Sequence, residues 1–306
     1  LIGIFDLCYY FYFFANMKIV RENINSLKRV EWLRRISEIR ETECTMGDKI
    51  ILSFGDLKKE DLIPEHIVSL ACLVEFLDQK KITVSLEPKE DCGNYFLEDL
   101  NFRAYWQQRQ DYTVAFDNTI LNLWHVQFEL MEDHARRTIG YLKNKFFHHK
   151  DLSAVTNSLH EAYYNIKDHA AAGGNAFSML RFDEINKVLY VAVCDFGTGV
   201  ANTVRAYDPE IIDDKKALML AAETNFTVHS AQHNAGMGID NIRNVCTEDD
   251  YLWIISNSAA LMMTDKNERA TDLGFDFKGC LLSYSISLSH FPDEETLDNF
   301  NLFMEG

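Results

Sequence analysis

The spacing between strand-like runs constrains this chain most. Two strands separated by a helical stretch are set parallel, because a crossover of a dozen or more residues is needed to bring the chain back to the same end of a sheet. Two strands separated by a few polar residues fold back antiparallel. Both spacings occur, in different halves of the chain. DKIILSF and ITVSLE read as strands, and between them IPEHIVSLACLVEFLDQKK reads as a helix with Pro64 in its first turn. GNYFLEDLNFRAYW follows as a second amphipathic helix. Residues 48–114 are therefore expected to form a small βαβα unit with a parallel pair of strands.

The second half turns back on itself. AFSMLRFDE and KVLYVAVCDFG read as a hairpin, and YLWIISNS and FKGCLLSYSISLS as two further strands. Helical patterns run from about Asn118 to Phe147 and from 151 to 172, the latter stopped by Gly173 and Gly174; KALMLAAE and GIDNIRNVC are shorter ones. Antiparallel strands in one layer and helices in the other make residues 115–306 a two-layer α/β sandwich. Residues 1–47 are set apart as an N-terminal extension and a basic helix, KIVRENINSLKRVEWLRRISEIR, expected to be solvated with an apolar stripe.

Composition narrows the class. With 306 residues and 47% hydrophobic ones the chain can bury substantial cores. A formal net charge of −17 opposes general binding to nucleic acid or to an anionic membrane. Seven cysteines without a C-x-x-C pair fit neither a disulfide framework nor a four-thiolate zinc site, which points to the cytoplasm. The opening LIGIFDLCYYFYFFAN is shorter than the roughly 20 residues of a membrane span and is interrupted by Asp6. It reads as an extension upstream of Met17, without the leader pattern of a signal peptide.

Three short patterns carry chemistry. In SLHEAYYNIKDHA, Glu161, Asn165 and His169 recur at helical spacing beside the apolar stripe of Leu152, Val155, Leu159, Ala162 and Ile166, so the polar row borders a core. An Asn carbonyl oxygen there suits a magnesium ion that keeps most of its waters and bridges phosphates, and a carboxylate one turn earlier can polarise an attacking oxygen. In DFGTGV, Asp195 ends an apolar strand, where its carboxylate can accept from an exocyclic amine, and Gly197 and Gly199 let backbone approach a flat ring or a phosphate. Taken singly, D-x-G-x-G also makes ordinary turns. In NAGMGIDNIR, Gly236 and Gly238 open a helix whose free N–H groups can receive phosphate. The third glycine and preceding strand of a dinucleotide-binding fingerprint are missing.

In order and spacing these patterns resemble the N box and the two glycine boxes of the GHKL ATP-binding (Bergerat) fold, a superfamily that includes DNA gyrase and sensor histidine kinases. Gly279-Cys280, entering the strand LLSYSISL, is similar to its terminal G-T box with Cys in place of Thr. The resemblance covers about residues 115–290 and is nearest to the anti-sigma-factor serine kinases, whose first box also reads E-x-x-x-N-x-x-x-H. The unit before it resembles, more distantly, the STAS domains those kinases act on, though no phosphoacceptor motif is evident and Ser53 and Ser69 are the candidates.

The resemblance implies ATP and Mg2+ as ligands. Asn165 would hold the metal, Glu161 would act as general base or orient water, and Asp195 would read the adenine amine beside Gly197 and Gly199. Gly236, Gly238 and Ile239 would form the phosphate end, residues 223–235 a lid carrying His229 and His233, and His169 would brace its neighbours. It implies a protein partner, STAS-like or a second copy of the chain, and leaves three activities open: ATP hydrolysis, phosphorylation of a protein serine or threonine, or ATP-gated binding without turnover. HARRTIG echoes the phosphoacceptor box of histidine kinases, but too little chain separates His134 from Asn165 for a dimerisation hairpin, and His134 is read as a surface helix residue.

Overall fold

The computed structural model describes residues 17–87, 89–100, 102–107, 121–169, 175–223, 238–264 and 267–294. It is a mixed α/β protein with two sheets. The smaller sheet has three parallel strands in the order β1 (Ile19–Asn23), β2 (Lys49–Ser53), β3 (Thr83–Glu87). Its crossovers are α1 (Arg29–Arg40) and α2 (Pro64–Gln79). The expected parallel pair is thus β2 and β3, and β1 adds a third strand.

The basic stretch is not one helix. IVREN alternates in exposure along β1, a period of two that suits a strand beside β2. Nor is α1 simply solvated, since Trp32, Leu33, Ile36 and Ile39 are all buried. The second helix expected over GNYFLEDLNFRAYW is broken into a short α3 (Glu90–Asn94) and two wide π-type turns, Tyr95–Asp99 and Arg103–Gln107. Phe96 in the first turn and Phe102 just before the second point inward, with the Phe96 ring 4.9 Å from that of Phe54.

The larger sheet has five strands in the order β4 (Trp124–His125), β5 (Ala176–Asp183), β6 (Val188–Asp195), β8 (Glu268–Ser287), β7 (Leu252–Met263), all antiparallel. The expected hairpin is β5–β6. Strands β7 and β8 run on beyond YLWIISNS and FKGCLLSYSISLS into a long second hairpin, with register shifts at Ser256 to Ala259. The helical pattern placed from Asn118 begins later: Trp124 and His125 pair with β5, and α4 runs Met131–Phe146. Helix α5 (Ser153–His169) follows, then α6 (Val200–Tyr207), which the sequence reading missed, α7 (Asp214–Ala222) and α8 (Gly238–Arg243).

Side chains alternate across the large sheet, and each face has its own core. Leu180, Val191, Val193, Leu282 and Tyr284 pack with α4, α5 and α8 on one face, the single helical layer that was expected. The opposite face is covered too: Phe177, Met179, Ala192, Cys194, Ile255 and Leu281 share one buried cluster with α1, α2 and the small sheet. Every residue of α2 from Pro64 to Val74 is buried. A helix apolar on all sides needs neighbours on all sides, and α2 finds them in α1 and in β5 and β6 of the large sheet. Arg29 of α1 donates to Glu65 of α2 at 2.6 Å, and Glu65 accepts from Ser283 of β8 at 2.7 Å, so the junction has a polar centre as well.

Candidate functional site

Helix α5 stands against the front face of the large sheet because Val155, Leu159, Ala162 and Ile166 are buried along one side of it. Asn165 lies next to that stripe. Its amide nitrogen is buried and has no hydrogen-bond partner, a state that costs about 1–3 kcal/mol unless a ligand or water fills it. Beside it opens a small recess of about 40 Å³, lined by Asn165, Val200, Leu218, Ala221, Ile239, Ile254, Cys280 and Leu282. Apart from Asn165 and the Cys280 thiol the walls are aliphatic, a surface that suits a flat ring.

Asp195 is the last residue of β6 and pairs across the ladder with Cys280 of β8. It is 1% exposed, and its Oδ1 accepts the Gly197 N–H at 2.7 Å. Burial raises its pKa to about 7, against the opposing pull of the Gly197 and Cys280 N–H groups and of Arg40. Burial of the sulfur, with the Asp195 carboxyl close by, also holds the Cys280 thiol well above its usual range, so it is no thiolate nucleophile.

The loop after Asp195 is tightly fitted. Gly199 has φ +83°, and a Cβ there would stand 2.6 Å from Asn257 Oδ1 and 2.8 Å from Ser256 Oγ. Gly279 has φ +129°, and a Cβ there would collide with the Asp195 carbonyl oxygen. Only glycine permits this approach of β8 to the end of β6. Ser256 joins the two turns, accepting from the Val200 N–H at 2.8 Å and donating to the Gly279 carbonyl at 2.7 Å. Asp214 at the start of α7 accepts from Ser258 N and Oγ at 2.9 and 2.7 Å and pairs with Arg205 of α6, fixing the helices that wall the recess.

Two of the residues expected from sequence line the recess directly. Asn165 and Ile239 line the recess; Gly197 and Gly199 lead from Asp195 to Val200, which also lines it; Gly238 is the first residue of α8. Glu161, one turn before Asn165 and 5% exposed, and Asp195, 1% exposed, are not among the lining residues. Gly236, His229, His233 and the lid from 224 on lie outside the described residues, as do the side chain of His169 and residues 1–16. Ser256, Asn257 and Arg40 were missed. The polar SNS interrupting an apolar strand run was the available signal for the first two; for Arg40, distant in the chain, there was none.

His134 is not a surface residue. It is 4% exposed, stacked on Trp124 with ring centroids 3.9 Å apart, and its Nδ1 meets the Tyr163 hydroxyl at 3.1 Å. Burial lowers its pKa to about 3, and a neutral, enclosed imidazole is no acceptor for a phosphoryl group. Ser69 is also structural, fully buried, taking the Trp32 indole N–H at 3.1 Å and donating to the Glu65 carbonyl at 2.7 Å.

Among the described residues no cluster of three or more His, Cys, Asp or Glu could hold a metal, and no helix is long and apolar enough to cross a membrane. No protein-family model matches the chain, and no curated protein matches it in sequence.

Proposed function

We propose that this chain binds ATP with magnesium in the recess beside Asn165, as a cytoplasmic regulatory protein of the GHKL type. The observation that carries this reading is convergence. Asn165, Val200, Ile239 and Cys280 come from, or directly follow, the four separate sequence elements of the resemblance, and all four line one recess. A chance likeness in four short patterns gives no reason for them to meet.

In this reading the aliphatic walls take the adenine ring and Asp195 accepts from its exocyclic amine, with Gly197 and Gly199 shaping the turn around it. Asn165 would hold the metal through its side-chain oxygen, while its buried and unpaired amide N–H group suits an acceptor such as a phosphate oxygen. Magnesium, when bound, neutralises phosphate charge. Gly238, with Gly236 before it, lies at the phosphate end. Glu161, one turn from Asn165, orients the attacking oxygen and takes its proton, which is either water's, giving hydrolysis, or a protein serine or threonine hydroxyl's, giving phosphoryl transfer in a partner-switching system. The partner, STAS-like or a second copy, would use a surface other than the back of the large sheet, which α1 and α2 occupy.

One observation favours a second reading. Glu161 is buried and stands off the recess lining, which suits a module that binds ATP to gate a partner and does not turn it over. Following γ-labelled phosphate from Mg-ATP separates the cases. Release or transfer that is lost in Glu161→Ala with binding retained supports the enzyme. Bound label that never leaves supports the gated module, and absence of binding by the wild type rejects both.

A further inference from the structure

Arg40, the last residue of α1, reaches the two turns beside Asp195 from behind the large sheet. Its Nη1 donates to the Lys278 carbonyl, and its Nη2 donates to the Phe196 carbonyl at 3.3 Å. These carbonyls belong to the residues just before Gly279 and just after Asp195, in the two turns that nearly touch at the Asp195 carbonyl oxygen. The flat guanidinium also lies over two rings, 4.2 Å from the centroid of Phe196 and 4.8 Å from that of Phe76, which meet each other edge to face at 6.1 Å. Next to it Glu41 takes the Lys278 ammonium at 2.7 Å. The end of α1 thus grips the Lys278 segment through both backbone and side chain.

A guanidinium is suited to this place because its planar fork can serve two carbonyls at once while its flat face rests on aromatic rings; an ammonium has neither the fork nor the flat face. Little slack remains between the two turns, so a shift of either would re-aim the Asp195 carboxyl, which is held by the N–H groups of Gly197 and Cys280 within them. We infer that Arg40 is a positioning residue for the nucleotide base: by clamping the Phe196 and Lys278 carbonyls it aims Asp195 at the exocyclic amine of adenine, so that selectivity for a 6-aminopurine depends on the front unit. This rests on the ATP-binding reading and goes beyond it, since the parallel-sheet unit becomes part of the nucleotide site.

The test is calorimetric titration of the full chain with ATP and with GTP, for the wild type, Arg40→Gln, Arg40→Lys and Phe196→Leu, with a urea unfolding curve for each. The wild type is expected to prefer ATP. Arg40→Gln should weaken ATP about tenfold and leave GTP unchanged, collapsing the preference by about 1.4 kcal/mol. Arg40→Lys should fall between, keeping one carbonyl contact. Phe196→Leu, which keeps the carbonyl and removes the ring, should move the ratio the same way and serves if Arg40→Gln does not fold. An unchanged ATP-to-GTP ratio in a folded variant, or equal losses for both nucleotides, would reduce Arg40 to a structural brace and overturn the inference while the ATP site stands. A wild type that binds neither nucleotide overturns the site itself, and the inference with it.

Discussion

The two faces of the five-stranded sheet are built from alternate residues of the same strands, yet they are used in opposite ways. On the back face Glu65 takes Arg29, Ser283 and, at 3.3 Å, the Tyr251 hydroxyl, and Arg29 rests on the Trp253 ring at 4.8 Å, although Arg29 Nε and His66 Nε2 stay unpaired within closed packing. On the front face Asn165 keeps a buried amide nitrogen unpaired beside an opening. An unpaired atom alone does not mark a site, because His134 Nε2 and Thr138 Oγ1 on the same side are unpaired too. Neither lines the recess; Asn165 does. What separates a structural polar group from a candidate ligand is the conjunction of unmet hydrogen-bonding capacity and access.

The most severe way to break this contrast is at the point where the two faces share backbone. Gly279→Ala puts a Cβ against the Asp195 carbonyl and strains a φ of +129°, and should cost about 3 kcal/mol or more of stability. Thermal unfolding checks this, and a melting temperature near that of the wild type would show that the turn can relax. On the back face, Glu65→Ala strands Arg29 at the junction and should cost about 3 kcal/mol, whereas replacing both residues by methionine should cost much less. Urea midpoints of the two variants measure the difference, and equal losses would mean that packing, not charge pairing, holds the joint.

Acid should weaken both faces at once. His134 at the front and His66 at the back are buried with pKa values lowered to about 3 and about 4. As pH falls below about 6.5 the unfolded chain takes up protons that the folded imidazoles refuse, so each removes up to about 1.4 kcal/mol per pH unit until its folded pKa is reached. Asp195 works the other way: with a folded pKa near 7 it favours the fold at low pH and loses that advantage as pH rises from about 4 to 7. Two imidazoles outweigh one carboxyl, so the urea midpoint should fall from pH 6.5 to pH 4.5, and His134→Phe should flatten that slope. A midpoint independent of pH would refute this balance.

The same carboxyl supplies a smaller, functional effect. If Asp195 accepts from adenine, ATP affinity should rise a few-fold as pH passes from 6 to 8 and the carboxyl ionises, and this rise should be absent in Asp195→Asn, whose comparison cancels the titration of the phosphates themselves. Parallel pH profiles for the two proteins would remove Asp195 from the base contact. The smallest effect on stability belongs to Asn165→Ala. Since its amide nitrogen bonds nothing, the variant should unfold within about 0.5 kcal/mol of the wild type while losing magnesium-dependent ATP binding. A large loss of stability would instead make Asn165 part of the core.

Much of this arrangement was legible in the chain. The β5–β6 hairpin, α5 with its polar row beside an apolar stripe, the strand end at Asp195 and the start of α8 after Gly238 all follow from local periodicity and glycine placement. Where two periods overlapped, the reading failed. IVREN was absorbed into the helix behind it, and the strand Trp124–His125 into a longer helical pattern, because two to five residues carry too little periodicity to stand against a neighbouring helix. His134 was misjudged for a related reason: it lies among charged residues in sequence, and only Trp124 and Tyr163 folding over it make it a core residue.

By itself, then, the sequence determined the local elements and the parallel and antiparallel habits of its two halves, and offered candidate ligand residues, since period, crossover length and side-chain chemistry act over short stretches of chain. The tertiary structure alone decided that α2 is buried between layers, that Ser256 ties Gly279 to Val200, and that Arg40 comes to lie behind Asp195. Those contacts join residues far apart in the chain, and no local pattern encodes a neighbour that only the packing of two sheets brings near.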